Sequence, residues 1–166
     1  MDFYNVGGLP LHVLVVHFTI VLVPLTALCV IVAALWPAAR RRLGVALALL
    51  GATIIGLVPL TTEAGEWLMQ RVAPTPLIAE HTAYGNALWP WSLSLGILGI
   101  ATWLWYLWVD RRADRRAPSR GVRLTVSVVI AVLALGIGVG GTIQTILAGE
   151  SGSRAVWEGS FSEMPR

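Results

Sequence analysis

Apolar residues fill four long stretches of the chain, and polar residues collect between them. The four stretches are 11–36, 43–62, 87–109 and 124–147. A helix rises about 1.5 Å per residue, so roughly 20 apolar residues cross a hydrocarbon core about 30 Å thick. Lipid offers no partner for a backbone hydrogen bond, so each stretch is expected to be helical. The pattern predicts an all-α integral membrane protein, a single four-transmembrane-helix bundle over residues 1–166.

The composition agrees with a chain embedded in lipid. Hydrophobic residues make up 56% of the 166 residues and charged residues only 13%, against about 25% charged in a typical soluble domain. The first stretch lacks a preceding basic segment and is longer than the core of a signal peptide, so we interpret it as a retained helix. The single cysteine, Cys29, excludes an intramolecular disulfide.

The basic residues predict the orientation of the bundle. Nine of the twelve, all arginine, lie in segments 37–42 and 110–123, whereas most acidic residues lie elsewhere. The positive-inside rule makes these two segments cytoplasmic loops. It places the loop 61–75 and both termini on the outer face. Membrane topology and anionic lipid head groups explain the arginines better than a nucleic-acid surface does.

The outer loop carries signals for two helical segments. Residues 63–71 are expected to form a short helix on the membrane surface, with Trp67, Leu68 and Met69 as its apolar contacts. Thr75 and Pro76 are typical of an N-cap and a first helical position, so the third helix is predicted to begin outside the bilayer.

All three histidines lie on the predicted outer side. His17 is about two turns inside the first stretch, where a polar side chain is costly unless it faces the bundle interior. We interpret His17 as a functional residue; the alternative is a structural histidine bonded to Gln144 or Thr145. His12 lies five residues earlier, about 140° around the helix, so the two cannot bind one metal ion side by side. His12 is therefore given a secondary, interfacial role.

Further candidate site residues lie on the same predicted side. His81 and Gly85 are spaced i,i+4, so Gly85 opens space beside His81 for a planar cofactor or a neighbouring helix. Glu63 and Glu66 are spaced i,i+3 and share a face if that segment is helical. With His17 and His81 they would complete a metal site of mixed nitrogen and oxygen ligands. Solvated loop carboxylates are the alternative.

Other motifs are few. The chain has no P-loop, dinucleotide fingerprint, nucleophile elbow, CxxC pair, HExxH or CxxCH sequence, so any haem would be non-covalent. Gly136 and Gly140 form a small-xxx-small pair, which favours close packing inside the bundle first and formation of a homo-oligomer second.

Three parts of the chain resemble one bacterial membrane family. Residues 8–20 read GLPLHVLVVHFTI and resemble its L-H-P-x-x-V-H-F-P-I opening, with Val13 and Thr19 where prolines are usual. The H-x-x-x-G sequence at 81–85 is similar to a second family feature, and GESGSRAVWEG at 149–159 resembles its usual tail. The family is called "domain of unknown function twenty-two thirty-one". The resemblance implies a small four-helix protein, for which we expect the bacterial inner (cytoplasmic) membrane, and it implies no activity.

Three functions are compatible with these residues. In the first, His17 and His81, with His12 secondary, bind a b-type haem or a transition metal near the outer face, in an electron-transfer or redox role. In the second, the protein is a non-catalytic accessory or assembly subunit of a larger membrane complex, such as a redox complex. The third, a carrier, is weakest, because no repeat or broken helix pair is visible.

Overall fold

The computed structural model describes residues 3–111 and 118–160. In these residues a short antiparallel hairpin precedes five helices. The elements are β1 (Asn5–Val6), β2 (Leu9–Pro10), α1 (Leu11–Leu35), α2 (Pro37–Leu43), α3 (Ala46–Met69), α4 (Pro76–Arg111) and α5 (Arg120–Trp157). Of these helices, α1, α3, α4 and α5 are long and apolar enough to cross a membrane. The predicted four-helix membrane fold is confirmed.

The four long helices run in alternating directions and pack as a ring. Each contacts its two neighbours in the order α1, α3, α4, α5, so α1 lies diagonally opposite α4, and α3 lies opposite α5. The helices α1 and α4 begin where α3 and α5 end, and we call this the histidine end. The other end of the bundle carries α2 and is called the arginine end.

A spacing of seven residues marks the face that each helix turns inward. This is the repeat of helices that pack with a left-handed crossing, and small residues are favoured at such contacts within membranes. Buried residues on α1 and α4 that follow it are Thr19, Thr26, Ala33, Leu88, Leu95, Thr102 and Val109. His12 and His81 each lie one repeat before the first buried residue of their helix.

Glycines set the closest approaches between helices. A Cβ atom on Gly51 of α3 would lie 2.6 Å from the carbonyl oxygen of Gly96 on α4, and the reverse contact is the same. On α5, Gly140 lies beneath the Trp91 ring of α4, with Cε3 2.9 Å from where a Cβ would be. Gly136 has nothing within 4 Å of that position. The packing contact predicted for the glycine pair therefore involves Gly140 and not Gly136.

The segments between the long helices differ from the predicted loops in helical content. Residues 37–42 belong to α2, because Pro37 suits a first helical position and alanine and arginine favour helix. The surface helix predicted at 63–71 is instead the end of α3, which passes through Pro59 and continues to Met69 because residues 60–69 contain no further proline. Thr75 is the predicted N-cap of α4, and its hydroxyl accepts from the Ile78 amide at 3.2 Å. Part of the predicted loop 110–123, residues 112–117, lies outside the described residues.

Candidate functional site

Two histidines from diagonally opposite helices meet at the histidine end. The rings of His12 on α1 and His81 on α4 have centroids 6.0 Å apart and planes at 75°, in an edge-to-face contact. Both side chains are half-buried. Since the helices α1 and α4 form one diagonal of the ring, this contact crosses the axis of the bundle.

The position of His12 is set by α3. Its Nδ1 atom donates to the Thr61 carbonyl oxygen at 2.9 Å, and its ring fills the space beside Gly65, with Nδ1 2.9 Å from where a Cβ would be. The Thr61 hydroxyl also bonds the Thr19 hydroxyl at 2.8 Å. This contact is buried and lies one seven-residue repeat further along α1 than His12. Two polar contacts therefore fix α1 against α3 next to the imidazole.

The position of His81 is set by α5 in the same way. Its Nδ1 atom lies 3.1 Å from the Ala148 carbonyl oxygen and 3.3 Å from Ser151 Oγ. Ser151 donates its own hydroxyl proton to the Ala148 carbonyl at 3.1 Å. The ring fills the space beside Gly152, with Cε1 2.9 Å from where a Cβ would be. Each imidazole thus rests on a glycine of one flanking helix and bonds a carbonyl of that helix.

These hydrogen bonds determine which nitrogen of each imidazole carries a proton. A carbonyl oxygen can only accept, so Nδ1 carries the proton in both His12 and His81. In a neutral imidazole the other nitrogen, Nε2, then holds a lone pair. Metal-binding histidines commonly donate their second nitrogen to a backbone carbonyl in this manner. When both rings are neutral, each therefore keeps an Nε2 lone pair while its Nδ1 atom is held by a carbonyl of a flanking helix.

His81 precedes the part of α4 that is predicted to span the membrane. The apolar stretch of that helix begins at Ala87, about 9 Å along the helix axis from His81. Burial lowers the pKa of His81 below its ordinary value, and the neighbouring His12 lowers it further, although the hydrogen bond to the Ala148 carbonyl opposes this. Burial and a nearby positive charge both disfavour the charged ring. The neutral form, which is the metal-binding form, is favoured.

The structure does not bring His17 to this site. His17 lies on the outside of the bundle, and its Nδ1 atom bonds the Val13 carbonyl of its own helix, at 3.2 Å. Because it is five residues from His12, it falls outside the inward-facing repeat of α1. The ring that the structure places against His81 is that of His12, and His17 is not in contact with this pair. The polar partners suggested for His17 bond elsewhere, since Gln144 donates to the Tyr84 carbonyl at 2.9 Å and Thr145 to the Gly141 carbonyl at 2.8 Å.

The predicted carboxylates also lie away from the histidine pair. Glu63 and Glu66 are exposed on α3, on a different face from Gly65. Glu63 accepts a hydrogen bond from the Tyr4 hydroxyl at 3.2 Å, which ties the N-terminal hairpin to α3. Within the described residues no three His, Cys, Asp or Glu side chains are grouped to hold a metal ion. The side chains that converge are therefore two imidazoles without the carboxylates.

Gly85 lies one helical turn from His81, as its spacing predicted. Nothing lies within 4 Å of the position of a Cβ on Gly85. The space that this glycine opens beside α4 is not filled by a neighbouring helix in the described part of the chain.

Several residues of the site were not predicted from the sequence. The two rings are held by residues whose side chains are small and not ionisable. These residues are Thr61, Gly65, Ala148, Ser151 and Gly152. The spacing of seven residues is the signal that finds them. Gly65 continues the series of Gly51 and Val58 on α3, and Gly152 continues that of Gly138 and Thr145 on α5.

The fold and this site define a class of protein, a small four-helix membrane protein with a histidine pair at one end. The chain belongs to the family described as predicted membrane protein (DUF2231), whose model matches residues 8–163. Neither the comparison with curated proteins nor that with solved structures gives a match. The family description therefore adds the membrane setting and no activity, and function has to be argued from the site.

Proposed function

We propose that the protein is a membrane cofactor protein in which His12 and His81 bind one transition-metal centre through their Nε2 atoms. The centre is either the iron of a b-type haem or a metal ion. Its proposed role is redox, in electron transfer. The arginine distribution further supports placing the histidine end at the outer face of the membrane.

One observation carries this proposal, the contact of two imidazoles whose Nδ1 atoms both donate to backbone carbonyls. Two imidazoles that share one ion at metal–nitrogen distances of about 2.0–2.1 Å have ring centres roughly 5–6 Å apart. The centroids of His12 and His81 are 6.0 Å apart. This separation supports one shared centre, which requires both Nε2 atoms to turn toward a common point between the rings.

The number of ligands separates the two forms of the centre. Iron in a b-type haem takes axial ligands from the protein and its four equatorial nitrogens from the macrocycle, so two histidines complete it. A bound metal ion usually takes three or four protein ligands, or keeps positions open for water. With two histidines and no grouped carboxylate among the described residues, haem is the form that the donor set fits better.

Purification of the protein from membranes of a cell that makes haem tests the proposal. We expect either a Soret band with about one haem per chain or about one equivalent of iron or copper by elemental analysis; zinc has no redox chemistry and would support the metal site without the electron-transfer role. The His12→Ala, His81→Ala double variant should lack that band or metal while keeping its helical content. A Soret band indicates haem, whereas stoichiometric metal without that band indicates a bound ion.

A folded parent protein with neither chromophore nor stoichiometric metal would overturn the proposal. The protein would then be better explained as a non-catalytic accessory subunit, with the histidine pair as a structural contact between α1 and α4.

A further inference from the structure

A groove lies at the arginine end, far from the histidine pair. It has a volume of about 380 Å³ and lies between the last turns of α1 and the short helix α2. This size is within the usual range for small-molecule sites. The residues that line it are Leu28, Cys29, Val32, Trp36, Ala38, Ala39, Arg42 and Leu43.

The lining is apolar along its length and cationic at one place. Seven of these side chains are hydrocarbon, thiol or indole groups, and Arg42 is the exception. Leu28 and Trp36 are exposed, so the groove opens to the surroundings of the bundle, which at this depth are lipid. An occupant must therefore combine a hydrocarbon part with an anionic group.

Among the described residues, no acidic side chain neutralises the positive charge at this groove. Arg40, Arg41 and Arg42 are consecutive on α2, which has no acidic residue. Arg40 lies over the Tyr106 ring, with its guanidinium carbon 3.5 Å from the ring centroid, and is thereby held away from the groove. Within the described residues, Arg42 makes no ion pair with an acidic side chain. Its guanidinium is available to an anion from the membrane.

We propose that this groove binds one anionic phospholipid. The phosphate pairs with Arg42, and one acyl chain lies along the face of α1 that carries Leu28 and Val32. The charge of the groove complements the head group, and its apolar lining complements the chain. Arginine suits this role because its planar guanidinium can donate two parallel hydrogen bonds to a phosphate.

Native mass spectrometry of the whole protein in detergent, with phosphatidylglycerol or phosphatidylcholine added, tests the proposal. We expect one molecule of phosphatidylglycerol to bind in preference to phosphatidylcholine. Arg42→Gln should weaken that binding roughly fivefold, the usual contribution of one arginine near an anionic lipid surface. Arg42→Lys should retain most of it, because the positive charge remains.

Two further variants locate the bound lipid. Arg120→Gln removes an exposed arginine from the same end of the bundle and should change binding less than twofold. Ala39→Leu fills the groove without changing charge and should reduce the binding of phosphatidylglycerol. Equal losses for Arg42→Gln and Arg120→Gln would mean a diffuse charge effect and would overturn the proposal. No loss in Ala39→Leu, or equal binding of both lipids, would also overturn it.

Discussion

The imidazole of His12 lies edge to face against that of His81, with ring centroids 6.0 Å apart. Each ring occupies a space that a glycine on a flanking helix leaves open, Gly65 on α3 and Gly152 on α5. One diagonal of the bundle thus supplies the histidines and the other supplies the glycines and the carbonyl oxygens that orient them. The contact depends on all four helices and not on a local sequence motif.

The first prediction concerns the glycine under His81. A Cβ on Gly152 would lie 2.9 Å from Cε1 of His81, whereas Gly149 has nothing within 4 Å of that position. Gly152→Ala should displace the imidazole and lower the affinity for haem or metal about 10-fold or more, as loss of ligand orientation does in metal sites. Gly149→Ala on the same helix is the control and should bind like the parent. The measurement is a titration of the cofactor-free protein with haem or the identified metal.

The second prediction concerns packing between α4 and α5. Gly140→Leu should lower the melting temperature in detergent, because the new side chain collides with the Trp91 ring. Overpacking of this kind costs about 1–3 kcal/mol. Gly136→Leu makes the same change one turn away, where nothing lies within 4 Å of the added Cβ, and should melt like the parent. Equal melting temperatures for the two variants would show that the contact with Trp91 does not stabilise the bundle.

The third prediction concerns the orientation of the protein. The helix α5 has 38 residues, so its two ends are about 57 Å apart and lie on opposite sides of a bilayer. In a Cys29→Ala background, Ser119→Cys is expected to react with a membrane-impermeant maleimide only from the cytoplasmic side. Ser160→Cys is expected to react only from the outer side. Reversed labelling would place the histidine end in the cytoplasm, and labelling of both from one side would contradict the four-span fold.

The number of membrane-spanning helices could be predicted from the sequence because lipid imposes a length and an apolar composition on every span. The start of α4 could also be predicted, since Thr75 is a strong N-cap and Pro76 suits the first turn. The boundaries of the loops could not be predicted as well. The end of α3 lies seven residues beyond the predicted end of the stretch at Thr62, because polar residues such as Glu63 and Glu66 continue a helix beyond the hydrocarbon.

The inward faces of the helices could not be predicted from apolarity. A membrane helix is apolar on all sides, so hydrophobic residues do not distinguish the face toward lipid from the face toward the bundle. His17 was favoured over His12 because of its depth in the membrane alone. The recurrence of His12, Thr19, Thr26 and Ala33 every seven residues identifies the inward face of α1, since small and hydroxyl side chains mark the helix contacts.

The most direct test of the central claim compares three single histidine variants. The parent, His12→Ala, His81→Ala and His17→Ala are purified in parallel, and haem and metal per chain are measured by absorption and elemental analysis. His17→Ala is a matched control, because it removes an imidazole from the same helix as His12 but from the outside of the bundle. The account predicts that His12→Ala and His81→Ala lose the haem or metal while His17→Ala retains it. Loss in His17→Ala with retention in His12→Ala would contradict the account.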